Sequence, residues 1–212
     1  MKIAFAKGRG AKDCMDCMEH SGACLPNAFR SGKSVACILP ELNAECFLVR
    51  GSDIAWYLSN NIVDVAIGSR LLFLDADNPG LHWVEGFPIA ECRLSLLARE
   101  SLDSKSAITV ATRYPDIGRR LLANSAWNIK WVQLTGCLET AMLLDVCDAI
   151  IDVVETGWSM REYQLHEVKV LASLQHGIWV NTNSTVDEEV LKYIFFGRTP
   201  ESTLEEYRYG VV

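Results

Sequence analysis

Short apolar runs of strand length recur along this chain, each broken by a turn and followed by an amphipathic stretch, and that alternation is the signature of an α/β fold. Lys2 to Ala6 reads as a first strand, ended by Lys7-Gly8-Arg9-Gly10, with a helix expected from Asp13 to Ser21. Val35 to Leu39, Cys46 to Arg50 and Val63 to Ile67 follow as strands. Asp53 is placed as an N-cap or first-turn acid of a helix, and Gly68-Ser69 is read as a turn. The grammar then repeats, with strands at Arg93 to Ala98, Ile108 to Ala111, Trp131 to Leu134 and Ala149 to Val154. Between them lie a helix opened by Pro115 and running to about Asn124, and an amphipathic stretch from Glu139 to Leu144. A strand pair at Val168 to Leu174 and Ile178 to Asn181, then a helix from Val186 to Phe196, complete the pattern.

At 212 residues there is room for one large domain or two smaller ones. Breaks near Pro88 and His166 favour two αβ lobes: residues 1–90 with 172–212, and an inserted lobe of residues 91–171. A ligand cleft between the lobes is the usual arrangement for such a chain.

Charge narrows the function classes. The formal net charge is −7 and no Lys/Arg run is present, which excludes a general nucleic-acid binder. An anionic ligand would have to be held by a few local arginines and backbone amides. No apolar run approaches the ~20 residues of a membrane helix, and the N-terminus lacks a signal-peptide core. A cytoplasmic location is expected, so the eight cysteines are read as free thiols. Cys14-Met15-Asp16-Cys17 has CxxC spacing, but no second CxxC or histidine pair accompanies it, and both cysteines read as small apolar residues of a helix.

The densest chemistry lies in Asp148 to Met160. An apolar strand delivers Asp152 and then Glu155 to a turn built on Thr156-Gly157, with a helix expected beyond it and the Thr156 and Ser159 hydroxyls as further donors. Main-chain N–H groups at such a turn can surround a phosphate. Gly157 permits close approach and unusual dihedrals, and an acid at a strand end can accept hydrogen bonds from ribose hydroxyls. The same residues also make an ordinary capped strand–turn–helix junction, and local composition leaves both open.

The whole stretch resembles the phosphoribosyl pyrophosphate loop of ATP phosphoribosyltransferases, and other segments match that family in the same order. Lys7-Gly8-Arg9 is similar to its basic glycine turn, and Arg50-Gly51-Ser52-Asp53-Ile54 to its Arg-x-x-Asp-Ile/Val element. Glu91-Cys92-Arg93-Leu94 resembles its Cys-Arg-Leu strand between the lobes, Ala111-Thr112-Arg113-Tyr114-Pro115 its Tyr-Pro turn, and Gly136-Cys137-Leu138-Glu139 its Gly-Ser-Val-Glu. The chain departs from the pattern at Ala55, Ser69, Met160 and Tyr163.

The resemblance implies a two-lobed fold like type II periplasmic binding proteins, with its site in the cleft between lobes. It implies a pentosyltransferase that joins N1 of the adenine of ATP to phosphoribosyl pyrophosphate, releasing pyrophosphate, in the first step of histidine biosynthesis. Glu155, Thr156, Gly157, Trp158 and Ser159 would cup the 5′-phosphate, and Asp152 would serve the ribose hydroxyls or organise the metal. Lys7, Arg9, Arg50, Asp53 and Glu139 fall on the ATP and pyrophosphate side, with Arg9, Arg50 and Asp152 as catalytic candidates. Mg²⁺ is implied on the substrate phosphates, with no direct protein ligand. The length fits the short form, which implies a homo- or hetero-oligomer with a separate regulatory subunit resembling histidyl-tRNA synthetase. Two other readings stay open: an inactive family member, and a two-lobed small-molecule-binding protein.

Overall fold

The structure, a computed structural model, describes residues 1–74, 80–89 and 92–197. Glu91, from the segment likened to the inter-lobe strand, and the polar tail beyond Gly197 lie outside them. In chain order the elements are β1 (Lys2–Ala6), α1 (Arg9–His20), α2 (Asn27–Arg30), β2 (Ala36–Leu39), β3 (Ala44–Val49) and α3 (Gly51–Ser59). Next come β4 (Val65–Ser69), α4 (Arg70–Leu74), β5 (Leu81–Gly86), β6 (Cys92–Ala98), β7 (Ala107–Thr112), α5 (Pro115–Leu121) and β8 (Asn128–Gln133). The rest are α6 (Leu138–Leu143), β9 (Ala149–Val154), α7 (Trp158–Glu162), β10 (His166–Leu174), β11 (His176–Asn181) and α8 (Glu188–Phe196). Two compact units result: one runs to Ile89 and resumes at Gln175, and the other holds the chain between them up to Leu174.

The first unit is built on a six-stranded sheet of order β2-β3-β1-β4-β11-β5. β1 is parallel to β3 and to β4, whereas β11 runs antiparallel to β4. The side-chain period of two splits β1 between two cores. Ile3 and Phe5 pack with Met15 and Met18 of α1, Phe29 of α2 and Phe195 of α8. Ala4 and Ala6 face Ile54 and Leu58 of α3 and Phe73 of α4. Both faces are thus covered by helices, which is why β1 reads as a continuous apolar run. Trp179 of β11 stacks on Phe73 with ring centroids 4.4 Å apart and meets Trp83 edge-on at 5.0 Å. Cys14 is fully buried in the first core, where desolvation pushes its thiol well above the usual range, and all eight cysteines are free.

Gly177 shows how closely β11 and β5 fit. A Cβ at this position would lie 2.2 Å from the Trp83 ring and 2.5 Å from the Glu85 carbonyl oxygen. The carbonyl belongs to the paired strand and cannot swing aside. We expect Gly177→Ala to cost about 1–3 kcal/mol, the usual range for overpacking, read as a lower urea midpoint at unchanged m-value.

The second unit carries a five-stranded sheet of order β10-β6-β9-β7-β8. β7 is parallel to both β8 and β9, and β6 is antiparallel to β9 and β10. On one face Ile150 and Val154 of β9 pack with Leu138, Ala141 and Met142 of α6 and with Leu165. Gly118 of α5 lies against the Trp131 ring of β8, which Arg119 also approaches at 6.0 Å.

Several sequence expectations need correction. β10 and β11 do not pair: they fall in different sheets, and Gln175 marks the passage between units. Gly68 and Ser69 are no turn but the last residues of β4, held in register with Gly177 and His176 of β11. The helix after Tyr114 stops at Leu121, short of Asn124, and α1 starts at Arg9 rather than Asp13. β5 has no counterpart among the expected strands.

Candidate functional site

Because β7, β8 and β9 are mutually parallel neighbours, their C-terminal ends open onto one edge of the second sheet. There the chain continues as Arg113-Tyr114, Leu134-Thr135-Gly136-Cys137 and Glu155-Thr156-Gly157. In open α/β sheets, ligands gather at this end of the strands. Among the described residues of this unit, the edge collects the predicted Asp152, Glu155, Thr156, Gly157, Trp158, Ser159 and Glu139.

The 155–159 turn owes its shape to Gly157, which caps α7 in the left-handed conformation at φ 69°, ψ 17°. The Thr156 hydroxyl accepts a long hydrogen bond from Trp158 N–H at 3.4 Å, and Arg161 Nη1 donates to the Thr156 carbonyl at 3.3 Å. First-turn N–H groups have no intrahelical acceptor; here the Trp158 N–H leans on the Thr156 hydroxyl, and α7 opens directly on the turn. Glu155, Thr156 and Trp158 are exposed, Trp158 at 59%, with its ring edge against Tyr163 at 6.5 Å.

Asp152 is half-buried, on the face of β9 that packs toward α6 and opposite the buried Ser95 of β6. Burial pushes its carboxyl above the usual range. The Val153 N–H, which donates to Oδ1 at 2.8 Å, and nearby Arg113 pull the other way, while Glu139 adds to the rise. Glu139 behaves oppositely. Burial would raise its carboxyl, but Cys137 Sγ at 3.0 Å, its own N–H, the Ser159 hydroxyl and Arg113 together hold it below the ordinary range. The family resemblance groups Glu139 with the ATP side; the structure places it in the same unit as the loop, linked to Ser159. On the same face Glu167 of β10 accepts from Arg93 Nε at 2.7 Å and Ser95 Oγ at 2.6 Å.

Two cations of this edge have no role in the sequence reading: Arg113, whose Nη2 donates to the Gly136 carbonyl at 3.2 Å, and Arg161 on the loop itself. Arg113 lies in the Ala111-Thr112-Arg113-Tyr114-Pro115 stretch likened to the family's Tyr-Pro turn, without a role attached to it, and nothing local marks out Arg161, since single arginines usually sit on the surface.

Lys7, Arg50 and Asp53 lie in the first unit. Lys7 and Arg50 follow the ends of the adjacent parallel strands β1 and β3, where Ala6 pairs with Val49 and Lys7 N–H donates to the Val49 carbonyl at 2.7 Å. Arg50 occupies the N-cap of α3 without a side-chain capping bond. Asp53 is the first-turn acid and accepts from Ser52 Oγ at 2.6 Å. Arg9 begins α1, and its side chain lies outside the described residues. Among the described residues no group of three or more His, Cys, Asp or Glu side chains is placed to hold a metal ion, and no helix is long and apolar enough to cross a membrane.

Comparison with known proteins bears on the family and the fold. Residues 50–196 match the sequence profile of the ATP phosphoribosyltransferase family. The ATP phosphoribosyltransferase of Clostridium kluyveri is 27% identical over 199 residues, covering 92% of this chain and 90% of that protein. The Bacillus subtilis enzyme is 25% identical over 182 residues, covering 85% of each. Among solved structures, the ATP phosphoribosyl transferase (HisG:HisZ) complex from Thermotoga maritima superposes with a TM-score of 0.74 at 22% identity, covering 98% of both chains. The arginine-bound form of a truncated ArgBP from T. maritima superposes at 0.53 and 12% identity over 93% of each, a likeness of fold alone. With more than half its length matched by the profile, the chain belongs to the ATP phosphoribosyltransferase family.

Proposed function

We propose that this chain transfers the phosphoribosyl group of phosphoribosyl pyrophosphate to N1 of the adenine of ATP, releasing pyrophosphate, as the first step of histidine biosynthesis. The observation that carries the reading is the left-handed Gly157 turn at the end of β9, with Asp152 three residues ahead of Glu155 on the same strand exit.

In the transfer the C1–oxygen bond of the ribose breaks, and its electron pair leaves with the diphosphate. The N1 lone pair of adenine forms the new C1–N bond, and the positive charge this leaves on the base is relieved by loss of a proton to solvent. Positive charge builds on the ribose ring and negative charge on the leaving oxygen, so positioning and electrostatics do most of the work. The turn amides with Thr156 and Ser159 fix the 5′-phosphate. Asp152 holds the ribose hydroxyls and faces the developing ring charge. Lys7, Arg9, Arg50 and Asp53, at the strand ends of the first unit, are assigned to the ATP and pyrophosphate oxygens, where a guanidinium fork suits bidentate contacts.

Mg²⁺ bound by the substrate phosphates would supply charge neutralisation on the leaving group. The scattered carboxylates suit such a substrate-borne ion, since Mg²⁺ prefers phosphate oxygens and water to an all-protein cage. We further propose cytoplasmic action with a regulatory subunit resembling histidyl-tRNA synthetase. The T. maritima structural neighbour is a HisG:HisZ complex, which supports a two-component assembly.

Purified protein, with and without such a subunit, is mixed with ATP, phosphoribosyl pyrophosphate and Mg²⁺, and phosphoribosyl-ATP is followed by its absorbance. Binding of both ligands without product would instead indicate an inactive family member, and binding of neither would remove the loop assignment.

A further inference from the structure

Arg113 follows the end of β7, the strand between β9 and β8. The pairings Thr112↔Ile151 and Thr112↔Gln133 set it level with Asp152 on one side and Leu134 on the other. Its exposed guanidinium spends one donor on the Gly136 carbonyl at 3.2 Å and lies close enough to Asp152 and Glu139 to act on both carboxylates. A guanidinium has five N–H donors, so most of the fork stays available to a ligand.

Along the sheet edge the order is therefore the 155–159 turn at β9, Asp152 beside it, Arg113 at β7 and Gly136 after β8. Neighbouring strands lie ~4.8 Å apart, so from β9 to the end of β8, where the Arg113 guanidinium meets the Gly136 carbonyl, the edge spans roughly 10 Å, enough for a sugar with a phosphate group at each end. Resting on the loop assignment above, we propose that Arg113 is a catalytic residue. With the 5′-phosphate on the turn and the ribose over Asp152, its guanidinium grips the diphosphate at C1 and takes up the negative charge that group gains as the C1–oxygen bond breaks. Arg161, tied to the Thr156 carbonyl, stands on the loop side and serves the opposite end of the substrate. A purely structural Arg113 would need only the single bond to Gly136, and its loss would not discriminate between ligands.

The test is calorimetric binding of magnesium pyrophosphate and of ribose 5-phosphate, each alone, to the full chain and to R113Q and R113K. Losing a charge-assisted fork should weaken pyrophosphate about 10- to 100-fold in R113Q while ribose 5-phosphate stays within about 2-fold. R113K, which keeps the charge but not the fork, should fall between, about 3- to 10-fold weaker for pyrophosphate. If R113Q does not fold, R113K against the parent chain carries the same comparison. Pyrophosphate binding unchanged, or both ligands weakened alike, overturns the assignment and leaves the loop reading standing. A parent chain that binds neither ligand overturns the loop reading itself, and this inference with it.

Discussion

Gly157→Val is expected to weaken phosphoribosyl pyrophosphate binding by at least about 100-fold while leaving the second unit folded. Gly157 sits at φ 69°, where a β-branched residue is a steric outlier. Holding valine there costs of order 1–3 kcal/mol, less than a domain of this size ordinarily has in reserve. The turn would escape that strain by rotating toward negative φ. Such a rotation re-aims the amides of residues 157 to 159, and they are the groups assigned to the phosphate. The added side chain also has a definite neighbour, because a Cβ at 157 lies 3.7 Å from Arg161 Nη1. At that distance the contact is an ordinary van der Waals one, so the effect of the substitution lies in the strained backbone rather than in a clash. Gly157→Ala removes the bulk but keeps most of the strain, and should fall between the two. Calorimetry with phosphoribosyl pyrophosphate, beside far-UV circular dichroism, reads both parts. Undiminished binding in folded valine protein would mean that the turn does not seat the ligand.

The split between what the sequence reveals and what it hides follows from the range of the forces involved. β1 and β9 can be read to the residue, because Ile3 to Ala6 is an apolar run between lysines and Ala149 to Val154 is apolar but for Asp152 and lies between Asp148 and Glu155. β5 escapes because Leu81 to Gly86 is mostly half-buried and mixes histidine, tryptophan and glutamate, so neither period stands out. β10 and β11 are both strand-like and one residue apart. Local propensity identifies them as strands but cannot say that they join different sheets, which long-range pairing decides. The same limit governs the site. Asp152 and the 155–159 turn are contiguous and can be read together, whereas Arg113 and Glu139 approach Asp152 only because β7 and α6 are folded beside β9.

Asp152→Asn should move activity and stability in opposite directions. Asparagine keeps an oxygen for the Val153 N–H but removes the charge that faces the ribose ring, and turnover should fall about 100-fold, as when one preorganised electrostatic group is lost. The stability sign comes from the raised carboxyl. Burial, reinforced by Glu139, makes the folded chain hold the Asp152 proton more tightly than the unfolded chain does. Linkage then requires this group's contribution to be lost as pH rises from the unfolded pKa through the folded one. At neutral pH the aspartate is therefore a net cost that asparagine removes, even though Arg113 recovers part of it. The variant should melt at a higher temperature than the parent at pH 7, and the gap should close as the pH drops below the carboxylate range. A residue placed only for packing would show the reverse, a lower melting temperature with turnover intact. Near-parent kinetics in a stabilised protein would remove Asp152 from the chemistry while keeping it as a strained buried acid.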